Sequence, residues 1–407
     1  MKIYIKTFGC RVNQVESEAL LEEFLRQGHT IVKTPNEADI CLLNTCSVTR
    51  KADKDSLKEA NSITRKNPNA RLIFTGCFAR HGAKEILEKV KQAEIIQKEN
   101  LPKYLFQKNI DWTVQKHQGK TRAFVKIQDG CNNFCTYCIV PFTRPIKTSK
   151  PKIIVLKEIK TLIDNGYKEI VLTGINIGNY FCPKTKTNLA GLVKEIFKLE
   201  GDFRIRFSSI ELPTVTNELL EIVSAAGSKF CNYLHLPLQS GSSKVLKEMH
   251  RHYTAEDFKK RVQEIRKKIK NIFIYTDIIA GFPTESIKDF EDSVSFVREI
   301  GFAGLHVFSY SPRPMTAAAK LPQIAPAEIK RRADILREED LILRQKAAES
   351  LINTTQEILV EEFSKDGKYQ ISTASNFQKV LVNKNTPKNL LTKVKITKAH
   401  DGICYAE

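Results

Sequence analysis

The chain reads as an α/β protein in three parts. An amino-terminal unit has a mostly parallel sheet, a central segment forms a partial (β/α)6 barrel, and a small all-β module closes the chain. Three observations predict this. Short β-branched and aromatic runs alternate with amphipathic helical patterns from the first residues onward. Six strand–helix units then follow one another after a polar stretch, QKHQGKT, at 115–121, the rhythm of a barrel that works at its strand C-termini. Beyond a long charged helix, the pattern changes to short strands punctuated by Gly, Asn and Pro. A chain of 407 residues is long enough for two or three cores, and the boundaries fall at 1–112, 117–345 and 346–407.

In the first part, the strand-like runs are KIYIKTF (2–8), ADICLLNT (38–45) and ARLIFTG (70–76). Helical patterns follow them: QVESEALLEEFLRQG, which Gly28 closes as a C-cap, then VTRKADKDSLKEANSI and AKEILEKVKQ. The stretch 115–121 reads as a linker, with His117 on its surface. The barrel strands are AFVKIQ (123–128), EIVLTGI (169–175), RIRFSSI (204–210), NYLHLPL (232–238), IFIYTDIIAGF (272–282) and LHVFSYS (305–311). Helices are expected at 152–165, 189–199, 215–226, 242–269 and 284–300, and a charged helix from 326 to about 352. EILVEEF, KYQISTAS, QKVLVN and LTKVKIT make the terminal module.

Composition narrows the function. No run of about 18 apolar residues occurs, which excludes a helical membrane span. MKIYIKTFGC alternates like a strand and lacks an apolar signal core, which points to the cytoplasm. In that reducing compartment, ten cysteines suggest metal or redox use rather than disulfides. The net charge of +19 suits a polyanionic partner, although a lysine-rich solvated surface fits it equally well. Two clusters tilt the reading towards nucleic acid: residues 50–80 hold eight basic against three acidic residues, and 244–270 hold ten against four.

The cysteines carry the chemistry. CNNFCTYCIVP places Cys131, Cys135 and Cys138 just after the first barrel strand. Thiolates favour zinc or iron–sulfur chemistry, and no nearby fourth Cys or His completes a zinc tetrahedron. Three thiolates on a four-iron cluster leave one iron open to chelate a small molecule; zinc stays as the alternative. Cys10, Cys46 and Cys77 each lie just beyond one amino-terminal strand, in TFGC, LLNTC and FTGC. Ends of parallel strands share one edge, so residues far apart in sequence converge there. Buried structural thiols are the rival reading, outweighed by three coincidences at strand ends, two of them following Gly. Cys41, Cys182, Cys231 and Cys404 have no partner at ligand spacing, and Cys41 belongs to a strand core.

The CX3CX2C motif, with Tyr137 before its last cysteine, resembles the radical S-adenosylmethionine (SAM) superfamily. TFGCRVNQVESE, LLNTCSVT, FTGCFAR, HLPLQSGSSKVLKEMHRHYT, DIIAGFPTES and HVFSYSPRPMTAA are similar to the motifs of the radical SAM methylthiotransferases over most of the chain. The resemblance implies two 4Fe–4S clusters. One, on Cys131, Cys135 and Cys138, cleaves SAM; an auxiliary one, on Cys10, Cys46 and Cys77, handles sulfur. It also implies a terminal RNA-binding TRAM-like module, an electron donor such as flavodoxin or ferredoxin, and a sulfur source. CRVNQ and NTCSVT most resemble the branch acting on threonylcarbamoyladenosine in tRNA, in the anticodon stem-loop on the 3′ side of the anticodon. The product there is the 2-methylthio derivative. Branches acting on isopentenyladenosine or on a ribosomal protein match less well, and a metal-stabilised RNA-binding protein is the non-enzymatic alternative. Two features depart from the family pattern: Pro145 follows Arg144 where glycine is expected, and the module carries only nine Lys against seven acids.

Other residues are read both ways. Thr173 and Gly174 match the position that cradles SAM, or form an ordinary turn. Ser208, Ser209 and Glu211 face SAM's ribose or amino group, or solvent. Gln239 and Ser240 contact substrate or cofactor, with an N-cap as the rival role for Ser240. Gly281, Phe282 and Pro283 form a backbone wall against adenine. His235 reads as a core imidazole rather than a ligand. Arg206 holds a carboxylate by its fork of donors, and Arg313 contacts substrate or phosphate unless it is surface charge.

Overall fold

The computed structural model describes residues 1–406, and the chain divides into two compact units. The first comprises Met1–Val114, Val125–Lys150 and Ser311–Ala319; the second comprises Gln115–Phe124, Pro151–Tyr310 and the chain from Lys320 onward.

The first unit is built on a five-stranded parallel sheet of order β2-β1-β3-β4-β5. Its strands are β1 (Lys2–Thr7), β2 (Thr30–Ile31), β3 (Ile40–Thr45), β4 (Arg71–Thr75) and β5 (Ala93–Ile95). The outer strands β2 and β5 are too short to show a period in the sequence. Around them lie α1 (Arg11–Arg26), α2 (Arg50–Lys66), α3 (Gly76–His81), α4 (Ala83–Lys89) and α5 (Leu101–Phe106). Alternate residues of β3 feed two cores. Cys41 and Leu43 pack with Leu57, Phe74 and Phe78, whereas Ile40 and Leu42 pack with Leu20, Phe24 and Leu101. A strand covered on both faces reads as an unbroken apolar run, as ICLL does. The Thr49 hydroxyl caps α2 by accepting from the Ala52 amide. β6 (Arg122–Asp129) ends in this unit, followed by α6 (Val140–Thr143) and β7 (Thr148–Ser149), which pairs antiparallel with the end of β6.

The second unit continues with α7 (Lys152–Asp164), β8 (Glu169–Gly174), the short hairpin β9 (Phe181–Cys182) and β10 (Thr187–Asn188), α8 (Leu189–Phe197), β11 (Arg204–Phe207), α9 (Asn217–Ala225) and β12 (Tyr233–His235). Then come α10 (Ser243–Glu248), α11 (Ala255–Lys268), β13 (Phe273–Ala280), α12 (Ile287–Ile300) and β14 (Gly304–Ser309). One sheet has the order β11-β8-β6-β7 and the next β12-β13-β14. Parallel bridges Ile205–Phe230 and Ser209–His235 join β11 to the β12 side, so the barrel strands follow in chain order as a partial barrel. The helix expected over 242–269 is two helices. Thr254 starts α11 with a capping box to Asp257, and the run before it turns. His117 is not on a surface linker. It is 2% exposed, and its ring Nε2 accepts from the Phe124 amide at 3.0 Å.

A long helix, α13 (Pro326–Glu349), leads to a closed barrel of order β15-β16-β17-β19-β18. These strands are β15 (Thr355–Phe363), β16 (Tyr369–Ala374), β17 (Lys379–Asn383), β18 (Leu391–His400) and β19 (Ile403–Ala406). β19 runs parallel to β17 and closes the ring; the sequence reading stopped short of it.

The module is fastened to the first residues of two barrel strands. Glu169, Arg204 and Arg206 are fully buried. The Arg206 fork donates to Glu169 at 2.6 and 3.0 Å, and Arg204 Nε donates to the same carboxylate at 2.8 Å. Their remaining N–H groups donate to the carbonyls of Glu357, Thr373, Ala374 and Ser375 in the module. The carboxylate that Arg206 holds is therefore the protein's own. Removing Glu169 leaves Arg206 buried without its counter-charge and Arg204 with only a longer contact to Glu357, at 3.5 Å. Glu169→Ala is expected to lower stability by about 3–5 kcal/mol. Denaturant unfolding, read alongside limited proteolysis between α13 and β15, checks this.

Candidate active site

Both cysteine triads fall within the first unit. Cys10 is the residue before α1, Cys46 follows β3, and Cys77 lies in the first turn of α3 after β4. Two glycines let these ends meet. Gly9 has φ +94°, and a Cβ on it would lie 2.4 Å from Cys46 Cβ and 2.6 Å from its Sγ. Gly76 has φ +87°, and a Cβ there would lie 2.4 Å from the Thr45 carbonyl oxygen. Neither conformation nor clearance suits another residue. Burial pushes the Cys46 thiol up to about 11, and the nearby Cys77 and Cys10 sulfurs add to the rise. Sulfurs that repel one another in this way suit a cationic iron core.

Beside them lies a knot of buried charge that the sequence reading missed. Arg144, 3% exposed, donates from Nη1 to Glu16 and to Asp129, both at 2.8 Å, and from Nη2 to Asn13 at 2.7 Å. Its Nε points at Cys77 Sγ, 3.4 Å away. Lys126 bridges the same two carboxylates, and Lys98 also pairs with Asp129. Arg144 lies six residues beyond Cys138, so it ties the segment after the CX3CX2C motif to Cys77 of the amino-terminal triad. A lysine inside the otherwise apolar AFVKIQ, and the acid just before Gly130 and Cys131, were the available signals.

Around the second triad, the Asp129 carboxylate accepts from the Gly130 amide at 2.8 Å, fixing the exit from β6. The Cys138 amide donates to the Cys135 carbonyl at 2.9 Å, which makes a tight turn holding the half-buried Tyr137. Arg313 is neither exposed nor facing outward. It is 1% exposed and paired through Nη2 with Asp53 and with Ser47, the residue after Cys46. Its Nε and Nη1 are buried with no protein acceptor. Buried guanidinium donors need acceptors, and the sulfurs of an auxiliary cluster are acceptors of the right kind.

In the second unit, Thr173 is buried near the end of β8, where Gly174 is the last residue. Ser208, just past β11, is buried, and its hydroxyl has no hydrogen-bond partner, which leaves it open to a polar ligand such as SAM. Glu211 is held by Arg251, with Nη1 donating at 3.1 Å and Nη2 closing the second half of the fork. Gln239 is buried at φ +76°, its backbone bonded to Asp277 and Ile279. Ser240 is not the cap of α10. That role belongs to Ser242, and the Ser240 hydroxyl pairs with that of Ser293. Gly281 donates to Glu285 at 2.9 Å, and a Cβ on it would meet Ile329 at 2.6 Å.

Comparison with known proteins decides the family. Residues 2–97 match a model described as Uncharacterized protein family UPF0004, and residues 125–297 match the Radical SAM superfamily. A tRNA-2-methylthio-N(6)-dimethylallyladenosine synthase from Thermodesulfovibrio yellowstonii is 35% identical over 98% of this chain and 96% of its own. The Threonylcarbamoyladenosine tRNA methylthiotransferase MtaB of Bacillus subtilis is also 35% identical, over 98% of this chain and 94% of its own. The chain belongs to the radical SAM tRNA methylthiotransferases. It is an iron–sulfur, SAM-dependent radical enzyme. Among solved structures, the radical SAM methyltransferase TsrM of Kitasatospora setae shares the fold, with a TM-score of 0.58 at 11% identity over 78% of this chain and 77% of that one. The methylthiotransferase also has no described helix long and apolar enough to cross a membrane.

Proposed function

We propose that the enzyme converts threonylcarbamoyladenosine, on the 3′ side of the tRNA anticodon, into its 2-methylthio derivative. The observation that carries this reading is the wording Cys10-Arg11-Val12-Asn13-Gln14. Arg11 opens α1, and the first turn of that helix holds no acid. The threonylcarbamoyl group carries a carboxylate that a guanidinium recognises, whereas a dimethylallyl group is apolar.

Cys131, Cys135 and Cys138 are assigned to the SAM-cleaving cluster, and Cys10, Cys46 and Cys77 to a second one. When bound, these groups supply the deoxyadenosyl radical and the sulfur, and a second SAM supplies the methyl group. Carbon 2 of adenine bears a hydrogen that no side-chain base removes at neutral pH, which is why radical chemistry suits the task. Tyr137, Thr173, Gly174, Ser208, Glu211, Gln239 and Gly281 are assigned to SAM, with the unsatisfied Ser208 hydroxyl as the best support. The terminal β-barrel is read as a TRAM-like RNA-binding module. The domain reading is 1–112, 117–345 and 346–407, in a cytoplasmic enzyme that draws on an external electron donor and sulfur source.

Mass spectrometry of tRNA nucleosides from cells lacking the enzyme tests the assignment. Loss of the methylthio form of threonylcarbamoyladenosine alone supports it. Loss of the methylthio form of isopentenyladenosine instead overturns the substrate, and unchanged nucleosides overturn RNA as the target.

A further inference from the structure

His235, Asp277 and His306 form a cluster of ligating side chains that the cysteine chemistry does not use. They come from three adjacent parallel strands: His235 ends β12, Asp277 lies in β13, and His306 lies in β14. Asp277 and His306 are register partners. His235 is opposite Tyr275, two residues before Asp277, so all three side chains leave the same face of the sheet. Asp277 Oδ1 is 2.8 Å from His235 Nε2 and 3.3 Å from His306 Nδ1, and one ligand atom from each residue lies within 4.8 Å of the other two.

We propose that these three residues bind a single divalent transition-metal ion of the zinc or ferrous type. Two imidazole nitrogens and one carboxylate oxygen are the donor set that such ions prefer over calcium or magnesium. Metal–ligand bonds of about 2.0–2.2 Å put neighbouring donor atoms about 2.9–3.5 Å apart, and the two measured separations lie at or near that range. Strand backbones, rather than loops, fix the donors. His306, 47% exposed, has the freedom to close the widest gap. Three protein ligands leave further coordination positions for water or for a substrate oxygen. The rival account is that the imidazoles merely brace the carboxylate, an arrangement that needs no ion.

Zinc uptake separates the two accounts without relying on methylthiolation. Anaerobically reconstituted enzyme is incubated with a small excess of zinc, desalted, and measured for zinc and iron by atomic emission. The same is done for Asp277→Asn and His306→Gln. Wild type is expected to retain about one zinc per chain, and each variant less than about a fifth of that at unchanged iron content. X-ray absorption is expected to show only nitrogen and oxygen around the zinc. His306→Gln, at a half-exposed position, keeps the test interpretable if the buried substitution unfolds. Equal retention by wild type and His306→Gln, no retention by wild type, or sulfur in the zinc shell overturns the proposal.

Discussion

Cys77→Ala is expected to abolish methylthiolation and to lower iron from about eight to about four atoms per anaerobically reconstituted chain. Cys77 lies in the turn that Gly76 makes possible, with its sulfur near those of Cys10 and Cys46. Removing it leaves two thiols, too few to hold a four-iron core. The triad assigned to SAM cleavage, Cys131, Cys135 and Cys138, is untouched, so the variant is expected to keep reductive cleavage of SAM to 5′-deoxyadenosine. Iron analysis and chromatography of the nucleoside product check the two halves separately. Full methylthiolation by this variant contradicts the two-cluster assignment.

The second large effect is expected at Arg144. Arg144→Met leaves Glu16 and Asp129 buried with only Lys98 and Lys126 to compensate. A loss of about 3–5 kcal/mol is expected from the broken buried network. The hydrogen bond from Nε to Cys77 Sγ goes too. Donors to cluster sulfurs raise reduction potentials, so the auxiliary cluster of the variant is expected to be harder to reduce in a potentiometric titration followed by electron paramagnetic resonance. Arg144→Lys, which keeps the charge but loses the fork, should recover part of the stability and little of the potential.

Acid sensitivity follows from the same knot. Burial alone would raise the Glu16 carboxyl. Arg144, Lys126 and Lys98 outweigh that and draw it from 4.5 down to about 2. A depressed carboxyl contributes its full stability above its unfolded value and loses it as pH falls through its folded one. The wild-type contribution is therefore complete above about pH 4.5 and fades towards pH 2. In Arg144→Met the folded-state carboxyl is less depressed, so its contribution is smaller and is exhausted at a higher pH, and thermal unfolding across this window reads the difference.

How far the sequence reached can be judged from particular elements. The strands and helices with a full period were legible: β3 as ICLLNT, α2 behind Thr49, β13 as FIYTDIIA. Elements of two or three residues, such as β2 and β5, carry no period and were invisible. The break between α10 and α11 was missed because apolar spacing continues through it, while Thr254 and Asp257 supply a fresh helix start. His117 was read as a surface residue because its neighbours in QKHQGKT are polar, and it is buried; Arg313, read as a substrate contact or surface charge, is buried too.

The sequence by itself determined the thiols, their position just past strand ends, and the glycines that allow those ends to close up. All three are local properties of a short stretch of chain. Only the tertiary structure decided which charges meet. Glu16 and Arg144 are 128 residues apart, and Arg204 reaches the Thr373 carbonyl over 169. Such pairings depend on the path of the whole chain through space, and no periodicity encodes them. A charge placed inside an apolar strand announces that it needs a partner, but the fold alone names that partner.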